Sequence, residues 1–288
     1  MNAEFEIREM DDCDVPEVVP LLLEGFPRRT ADYWREGLKR LAERERPPHT
    51  EKYGYVLAAG NSLRGVVLTI PSIHNSVSGP QVFINISSWY VRPSHRGQPA
   101  KELYYHASRR DGITYTNLSA ATNTIKTITS FGFREWTAGQ MIAVGLKRRR
   151  SIGKRLQFLT PDQAKSAGIS EAEARVLVDH AAFGCLAFCL ETADRLSPFI
   201  FMPRQVKHTL SCAQLIYCQS LDDLVAHGRA ILFWLAAHGL PLMILDASGP
   251  IKGLIGRFIP GKAIKYVKGP TPTKVIDHTY SEMVVLGV

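Results

Sequence analysis

The sequence predicts an α/β fold, with a mixed α+β sheet, in two domains that share one architecture. With 288 residues the chain exceeds an average domain and suits two. Strand and helix patterns alternate along it. Each half contains three successive strands, a crossover helix and another strand, an order that builds a mixed sheet with helices on both faces.

The first half, residues 1–146, is predicted to form one domain with the order β-α-α-β-β-β-α-β-α-β-β. Thr30 suits a helix N-cap, and Gly60-Asn61-Ser62 suits a hairpin turn. Residues 81–119 follow a strand-helix-strand pattern, which predicts a right-handed parallel crossover. The predicted elements are strand 5–10, helices 14–26 and 30–44, strands 53–60, 63–73 and 81–91, helix 98–110, strand 112–119, helix 122–131 and strands 134–138 and 140–146.

The second half is predicted to repeat this architecture in residues 170–288, after a basic and polar linker at 147–169. Ser170 and Glu173 have the spacing of a capping box at its first helix. The glycine-rich stretch 246–262 lacks the spacing of a nucleotide loop and is predicted to be a conformationally demanding loop that lines the interdomain cleft. The predicted elements are helix 170–182, strands 183–192, 198–206 and 213–219, helix 221–239 and strands 240–247 and 280–287.

Composition narrows the classes of function. The formal charge of +8 favours anionic partners such as nucleotide phosphates, nucleic acid or an acidic surface. The five cysteines are odd in number and form no CxxC pair, which argues against a zinc site and a secreted disulfide framework. Residues 1–12 lack the apolar core of a signal peptide, and the most apolar stretch, 230–247, is interrupted by Gly and Pro. We therefore expect a soluble cytoplasmic protein with no metal and no membrane span.

One short turn has the arrangement of a phosphate site. The stretch "HRGQPA" at 95–100 joins a strand to a helix, and such a junction presents free backbone N–H groups and a positive helix end. Taken alone, the same six residues also fit a plain surface turn, because Pro99 loses nothing at the start of a helix.

The segment from Val91 to Phe133 resembles the GNAT N-acetyltransferase superfamily. Its Val91-Arg92-Pro93 step resembles the end of the family's fourth strand, and Arg96-Gly97-Gln98-Pro99-Ala100 resembles the Arg-Gly-x-Gly-x-Gly/Ala loop that follows. A helix ending in Gly-Phe completes the likeness, which covers residues 4–146. It implies a GNAT-like fold, with the second half as a degenerate GNAT-like repeat, because "CQSLDDL" at 218–224 contains no Arg/Gly turn.

The resemblance implies an acyl-CoA donor and a set of residues that bind it. Its pyrophosphate would lie on the 96–101 loop and its pantetheine arm beside residues 89–91. Pro99 provides neither the close approach nor the N–H of the usual glycine. Arg96 and the free amides of Gly97, Gln98, Ala100 and Lys101 would still hold the diphosphate. Asn123 suits a contact to CoA and a helix cap equally well. The implied binding residues are Trp89, Tyr90, Val91, Arg96, Gly97, Gln98, Ala100 and Lys101, with Asn123.

The catalytic groups are harder to predict. Family members commonly use a carboxylate as base and a tyrosine as acid, but residues 81–91 contain no Asp or Glu, and Ile128 stands at the position of the tyrosine. Positioning and oxyanion-type donors on the bulged strand would still promote acyl transfer. The substitutes we name are Ser88, where the sheet would splay, and His74, predicted to follow the third strand.

Three further groups receive weaker predictions. Glu282, on the predicted terminal strand of the second domain, and Asp246, in the predicted loop, would face an acceptor from a cleft. His106 is predicted to lie at the surface or edge of its helix. Each has a plain structural alternative.

The leading hypothesis is an acyl-CoA-dependent N-acyltransferase that moves an acetyl group from acetyl-CoA to a primary amine by direct attack in a ternary complex. The first alternative is a non-catalytic GNAT-fold binding protein. The second is a nucleic-acid-binding module that uses the basic cluster at 147–155, although few aromatic residues accompany that cluster. The sequence fits a monomer or a homodimer and does not identify the acceptor.

Overall fold

The computed structural model describes residues 5–76, 79–144, 156–206, 210–272 and 276–287, with the side chains of 75 and 76 excepted. The basic cluster predicted at 147–155 lies outside these residues. The elements are β1 (Phe5–Glu9), α1 (Val15–Gly25), α2 (Ala31–Glu43), β2 (Gly54–Ala59), β3 (Ser62–Ser76), β4 (Gly79–Val91), α3 (Gln98–Ala107), β5 (Thr114–Asn117), α4 (Ile125–Ser130), β6 (Arg134–Val144), β7 (Gln157–Leu159), α5 (Pro161–Ser166), α6 (Glu171–Ala182), β8 (Leu186–Glu191), β9 (Leu196–Val206), β10 (Leu210–Cys218), α7 (Leu221–Ala237), β11 (Leu242–Ala247), β12 (Gly256–Lys268) and α8 (Glu282–Val285).

The chain forms two compact units. The first comprises Met1–Glu135, Lys265–Thr273 and Tyr280–Val288, and the second comprises Trp136–Ile264 and Lys274–Thr279. This division differs from the boundaries predicted at 146 and 170, because the end of β12 and α8 pack in the first unit. The predicted mixed α/β architecture is confirmed.

In the first unit the strand order is β1-β2-β3-β4-β5, followed by the last residues of β12. The β4–β5 pair is parallel and the other pairs are antiparallel. Helix α2 begins where the Thr30 hydroxyl accepts the Tyr33 N–H at 3.2 Å. Its buried stripe of Trp34, Leu38 and Leu41 faces the core.

In the second unit the order runs from residues 256–264 of β12 through β6, β11, β10, β9 and β8 to β7. The β10–β11 pair is parallel, as β4–β5 is in the first unit. Phe188, Phe199 and Phe201 stack in its core, and Trp234 of α7 packs against Phe188 at 4.5 Å between ring centroids.

The sequence prediction is wrong at two strands: it divides β6 into two strands, and it assigns the start of β12 to a loop. Strands 134–138 and 140–146 form the single strand β6, because Gly139 permits a close approach: a Cβ there would lie 2.3 Å from the Ile259 carbonyl oxygen. The approaching segment belongs to β12, which starts at Gly256 inside the predicted loop 246–262. Glycine at this position therefore serves packing against a neighbouring strand.

The predicted terminal strand 280–287 is also wrong. Residues Glu282–Val285 form the helix α8 and are all buried. Leu286 follows α8, and a Cβ added to Gly37 of α2 would lie 2.9 Å from its side chain. A short apolar segment that is buried on every side shows no hydrophobic periodicity, so the sequence pattern could not distinguish a helix from a strand here.

Part of the predicted linker is regular structure. Residues 157–159 form β7, which pairs with β8, and residues 161–166 form α5. A capping box between Thr160 and Gln163 starts this helix. No helix in the described part of the chain has both the length and the apolar character needed to cross a membrane.

Candidate active site

Strand β4 separates from its parallel neighbour halfway along its length. It pairs with β3 along most of its course, but with β5 only from Phe83 to Asn85. A bulge interrupts the β3 side, where the register moves from Val66↔Tyr90 to Leu68↔Ser87. Beyond Asn85, no described strand pairs with the β5-facing edge of β4. The result is a gap at the centre of the unit's sheet.

The bulge places Ser88 in an unusual backbone conformation. Its φ of 51° lies in the left-handed region that L-residues rarely adopt. The two residues Ser88 and Trp89 oppose Val67 alone, so the ladder is locally broken and the bulged strand bends. Ser88, Trp89 and Tyr90 are half-buried, so the bulge is accessible from outside.

The end of β4 presents backbone groups to the gap. The Arg92 N–H donates to the Arg64 carbonyl at 2.8 Å, so residue 92 faces β3. Because antiparallel residues alternate, the N–H and C=O of Val91 face the open side. The Val91 oxygen accepts the Arg96 Nε–H at 3.1 Å.

The turn after β4 leads directly to the start of α3. Gly97 has φ 99°, and a Cβ added there would meet no atom within 4 Å. Among the described residues, the amides of Gly97, Gln98 and Ala100 have no acceptor. The Lys101 amide donates to the Gly97 carbonyl at 3.1 Å, so the expectation that it is a free donor is wrong. Pro99, which has no N–H, lies between the unbonded amides of Gln98 and Ala100.

The structure resembles solved acetyltransferase structures over nearly its whole length. A GCN5-related N-acetyltransferase from Anabaena variabilis matches with a TM-score of 0.60 and 12% identity, covering 92% of this chain and 72% of that one. A putative acetyltransferase from Pyrococcus horikoshii matches with a TM-score of 0.56 and 13% identity, covering 98% and 94%. The chain has the GNAT fold. Neither a protein-family model nor a curated protein sequence matches it.

A protein from Enterococcus faecalis described as a probable N-acyltransferase matches with a TM-score of 0.56 and 10% identity, covering 92% of this chain and 72% of that one. At such identities the likeness concerns the fold. The GNAT resemblance in the sequence is thereby confirmed as a statement about fold, and the roles of individual residues remain predictions.

The aromatic residues of the bulged strand pack on opposite helices of the GNAT fold. Trp89 lies 4.8 Å from the Tyr104 ring of α3, measured between ring centroids. A Cβ added to Gly25 of α1 would lie 2.5 Å from the Tyr90 ring, so α1 is close to that side. Arg92 and Glu24 bind each other at 2.8 Å and tie the end of β4 to the end of α1.

His74 is not where the sequence places it. Strand β3 continues to Ser76, so His74 lies inside the strand and is 7% exposed. Its ring stacks on Phe83 at 4.1 Å, and one ring nitrogen lies 3.0 Å from the Ser72 hydroxyl. These contacts give His74 a structural role and argue against it as the general base.

One alternative for Asn123 is removed. It lies exposed in the 3-10 turn Thr122–Thr124, and α4 has no side-chain cap. Asn123 therefore does not cap the helix, and its contact with CoA stays a prediction. His106 is half-buried and packs edge-on against Tyr55 at 4.7 Å, as an edge residue does.

A carboxyl group does reach the gap: Glu282, predicted to lie on a terminal strand of the second domain, comes instead from the helix α8. Glu282 of α8 belongs to the first unit and is 1% exposed. Its backbone N–H donates to Asn85 Oδ1 at 2.8 Å, and its carboxylate accepts a hydrogen bond from Ser87. Burial raises the pKa of this carboxyl, and the hydrogen bond from Ser87 opposes only part of the rise.

The second unit contains the same kind of gap, but its own chain fills it. Strand β10 pairs with β11 only over Cys212–Gln214, and its register shifts between Leu215 and Tyr217. The His278 N–H donates to the Ile216 carbonyl at 2.9 Å, and Asp277 forms a bridge with Tyr217. No comparable strand-like segment lies in the described gap of the first unit.

Asp246 is not an acceptor contact. It is fully buried in β11 of the second unit, where it accepts a hydrogen bond from Gln140 at 3.0 Å. His278 Nε2 lies 3.1 Å from its other oxygen. A carboxylate held in this way is structural. In the described part of the chain, no group of three or more His, Cys, Asp or Glu side chains is arranged to hold a metal ion.

Proposed function

We propose that this protein is an acyl-CoA-dependent N-acyltransferase that transfers an acetyl group from acetyl-CoA to a primary amine within a ternary complex. The observation that carries the proposal is the open edge of β4, which ends at the unbonded amides of α3. An extended amide chain and a diphosphate have complementary partners there, in that order along the molecule.

The pantetheine arm fits the gap by strand addition. Its amides would pair with the outward-facing N–H and C=O of Val91, as a peptide adds to an exposed sheet edge. Its diphosphate would accept hydrogen bonds from Gly97, Gln98 and Ala100 at the start of the ten-residue helix α3. The open space at Gly97 supports close approach of a phosphate.

Arg96 would have to move when the donor binds. Its guanidinium now covers the Val91 carbonyl, at 3.1 Å from Nε to O. A phosphate is a stronger acceptor for arginine than a peptide oxygen because the bond is charge-assisted. We therefore expect Arg96 to exchange its partner, which frees the strand edge and adds a cation to the phosphate site.

The chemistry would occur where β4 and β5 separate. Holding the thioester there aligns its carbonyl carbon with an amine, and positioning of this kind supplies much of the rate of acyl transfer. The bulge at Ser88 and Trp89 leaves backbone groups outside the ladder. An N–H among them would stabilise the developing oxyanion.

A second candidate is a GNAT-fold protein that binds acyl-CoA, or a similar ligand, without turnover. Two observations favour it: Pro99 removes one phosphate donor, and Ile128, at the position of the usual tyrosine, is fully buried. Release of the CoA thiol in the presence of an amine separates the two candidates.

Calorimetry with CoA and with pantetheine tests the proposal. We expect micromolar binding of CoA that weakens at least about 10-fold in Arg96→Ala, whereas pantetheine, which has no phosphate, binds the variant no worse. Arg109→Ala is the matched control, because Arg109 is exposed and follows the opposite end of α3.

Equal losses in both variants, or equal losses for both ligands, would refute the phosphate site. A wild-type protein that binds neither ligand would remove the acyl-CoA function altogether. Where CoA binds, thiol release from acetyl-CoA across a set of primary amines decides between the enzyme and the binding protein.

A further inference from the structure

Helix α8 fixes a carboxyl group at the point where β4 and β5 part. Asn85 is the last β4 residue that pairs with β5, and its Nδ2 donates to the Thr116 carbonyl at 3.2 Å. The same side chain accepts the Glu282 N–H at 2.8 Å. Glu282 is thus anchored through its backbone, which leaves its side chain to face the strand.

A chain of hydroxyl groups connects this carboxyl to the bulge. Ser87 Oγ donates to Glu282 Oε2, and Ser88 Oγ lies 3.0 Å from Ser87 Oγ. Because Ser87 has one hydroxyl proton and gives it to the carboxylate, Ser88 must be the donor to Ser87. The Ser88 oxygen is then an acceptor at the accessible end, and Ser88 is half-buried while Ser87 and Glu282 are buried.

The surroundings suit a group that exchanges a proton. In the described part of the chain, the carboxyl interacts electrostatically with three other titratable side chains: Lys265 of β12, Tyr33 of α2 and Tyr104 of α3. Lys265 Nζ is also bonded to the Leu118 carbonyl at 2.7 Å. Burial raises the pKa of Glu282 above its ordinary 4.5, and the hydrogen bonds from the Ser87 and Ser119 hydroxyls, the charge of Lys265 and the Leu118 N–H lower it by less. A buried carboxyl whose pKa is raised is the kind that serves acid–base chemistry.

We propose that Ser88 and Ser87 conduct a proton from the attacking amine to Glu282, which makes Ser88 the contacting group and Glu282 a positioning residue that stores the proton. This inference rests on the proposed acyltransferase function. It supplies the base that β4 itself lacks.

The step balances as follows. A C–N bond forms between the amine nitrogen and the acyl carbon, and the C–S bond breaks. The nitrogen gives a proton to Ser88 as Ser88 gives one to Ser87 and Ser87 gives one to Glu282. The thiolate takes a proton from water, and Glu282 returns its proton to the resulting hydroxide.

Steady-state release of the CoA thiol from acetyl-CoA, with hydroxylamine as a small nucleophile, tests the relay. We expect Glu282→Gln to lower kcat about 100-fold with an unchanged KM for acetyl-CoA, and to flatten the rise of kcat with pH. Ser87→Ala and Ser88→Gly should match it, glycine being suited to the positive φ of residue 88. The double variant Glu282→Gln/Ser87→Ala should lose no more than either single one. Glu43→Gln, on the exposed side of α2, is the control.

Folding is monitored separately by urea unfolding across pH. A carboxyl whose folded pKa is raised costs stability as pH rises above its ordinary value, so Glu282→Gln should lack that decline and remain folded. Full kcat and an unchanged pH profile in Glu282→Gln, or additive losses in the double variant, would overturn the relay and leave the transferase standing. Wild-type protein that binds CoA but releases no thiol would overturn both.

Discussion

Replacing Pro99 with alanine should strengthen the binding of CoA. Pro99 is the second residue of α3, between the unbonded amides of Gln98 and Ala100, and the change adds one N–H at the helix start. A hydrogen bond to a charged acceptor is worth about 1.5–3 kcal/mol, and solvent near this exposed turn favours the lower end. About 1.5 kcal/mol corresponds to roughly a 10-fold lower Kd. Calorimetric titration measures it directly.

The matched control is Pro16→Ala, because Pro16 is exposed and, like Pro99, is the second residue of its helix. Replacing Pro16 changes the conformational entropy of the unfolded chain as replacing Pro99 does, but the start of α1 is not a proposed phosphate site. Pantetheine should bind Pro99→Ala and the wild type alike. If Pro99→Ala binds CoA no more tightly than the wild type while remaining folded, the helix start does not hold the diphosphate, and the argument from unbonded amides fails.

Three further outcomes are expected. Gly25→Ala should lower the free energy of unfolding by about 1 kcal/mol, because its Cβ would lie 2.5 Å from the Tyr90 ring; an unchanged urea midpoint would deny that contact. His278→Ala should cost about 3 kcal/mol by leaving the buried Asp246 without its nearby imidazole, measured by thermal unfolding; a loss below about 1 kcal/mol would show that the hydrogen bonds from Gln140 and Gln214 suffice. Of five cysteines only Cys13 is exposed, so one thiol per folded chain should react rapidly with a colorimetric disulfide reagent, and several fast thiols would contradict the buried positions.

The sequence was most informative where pattern and packing agree. Helix α2 lies within its predicted range because Thr30 caps it and its apolar stripe has helical period. Strand β12 was missed because its first residues, Gly256 onward, are exposed and rich in glycine, which resembles a loop. Its strand character comes from partners distant in sequence, and no local propensity reports them.

The candidate site divides in the same way. The turn at Arg96 and Gly97 could be predicted, since residue chemistry and helix geometry both act within a few positions. The carboxyl of Glu282 could not be located, because its partner Ser87 is 195 residues away in sequence. The sequence also could not show that the Lys101 amide is occupied, because this depends on which residue of α3 makes the first hydrogen bond of the helix, to the Gly97 carbonyl.

The difference between the two units predicts that each chain binds one acyl-CoA. In the second unit, Asp277 and His278 already pair with β10 in the gap where a pantetheine arm would have to pair. The first turn of α7 carries Asp222 and Asp223, and carboxylates there repel a phosphate that the helix start would otherwise attract. We therefore expect acyl-CoA to bind only in the first unit, where the edge is open and the turn is basic. Calorimetric titration with CoA should give a stoichiometry close to one, and this single site should weaken in Arg96→Ala. A second site of similar affinity that is unchanged in Arg96→Ala would show that CoA can displace the segment that fills the gap of the second unit.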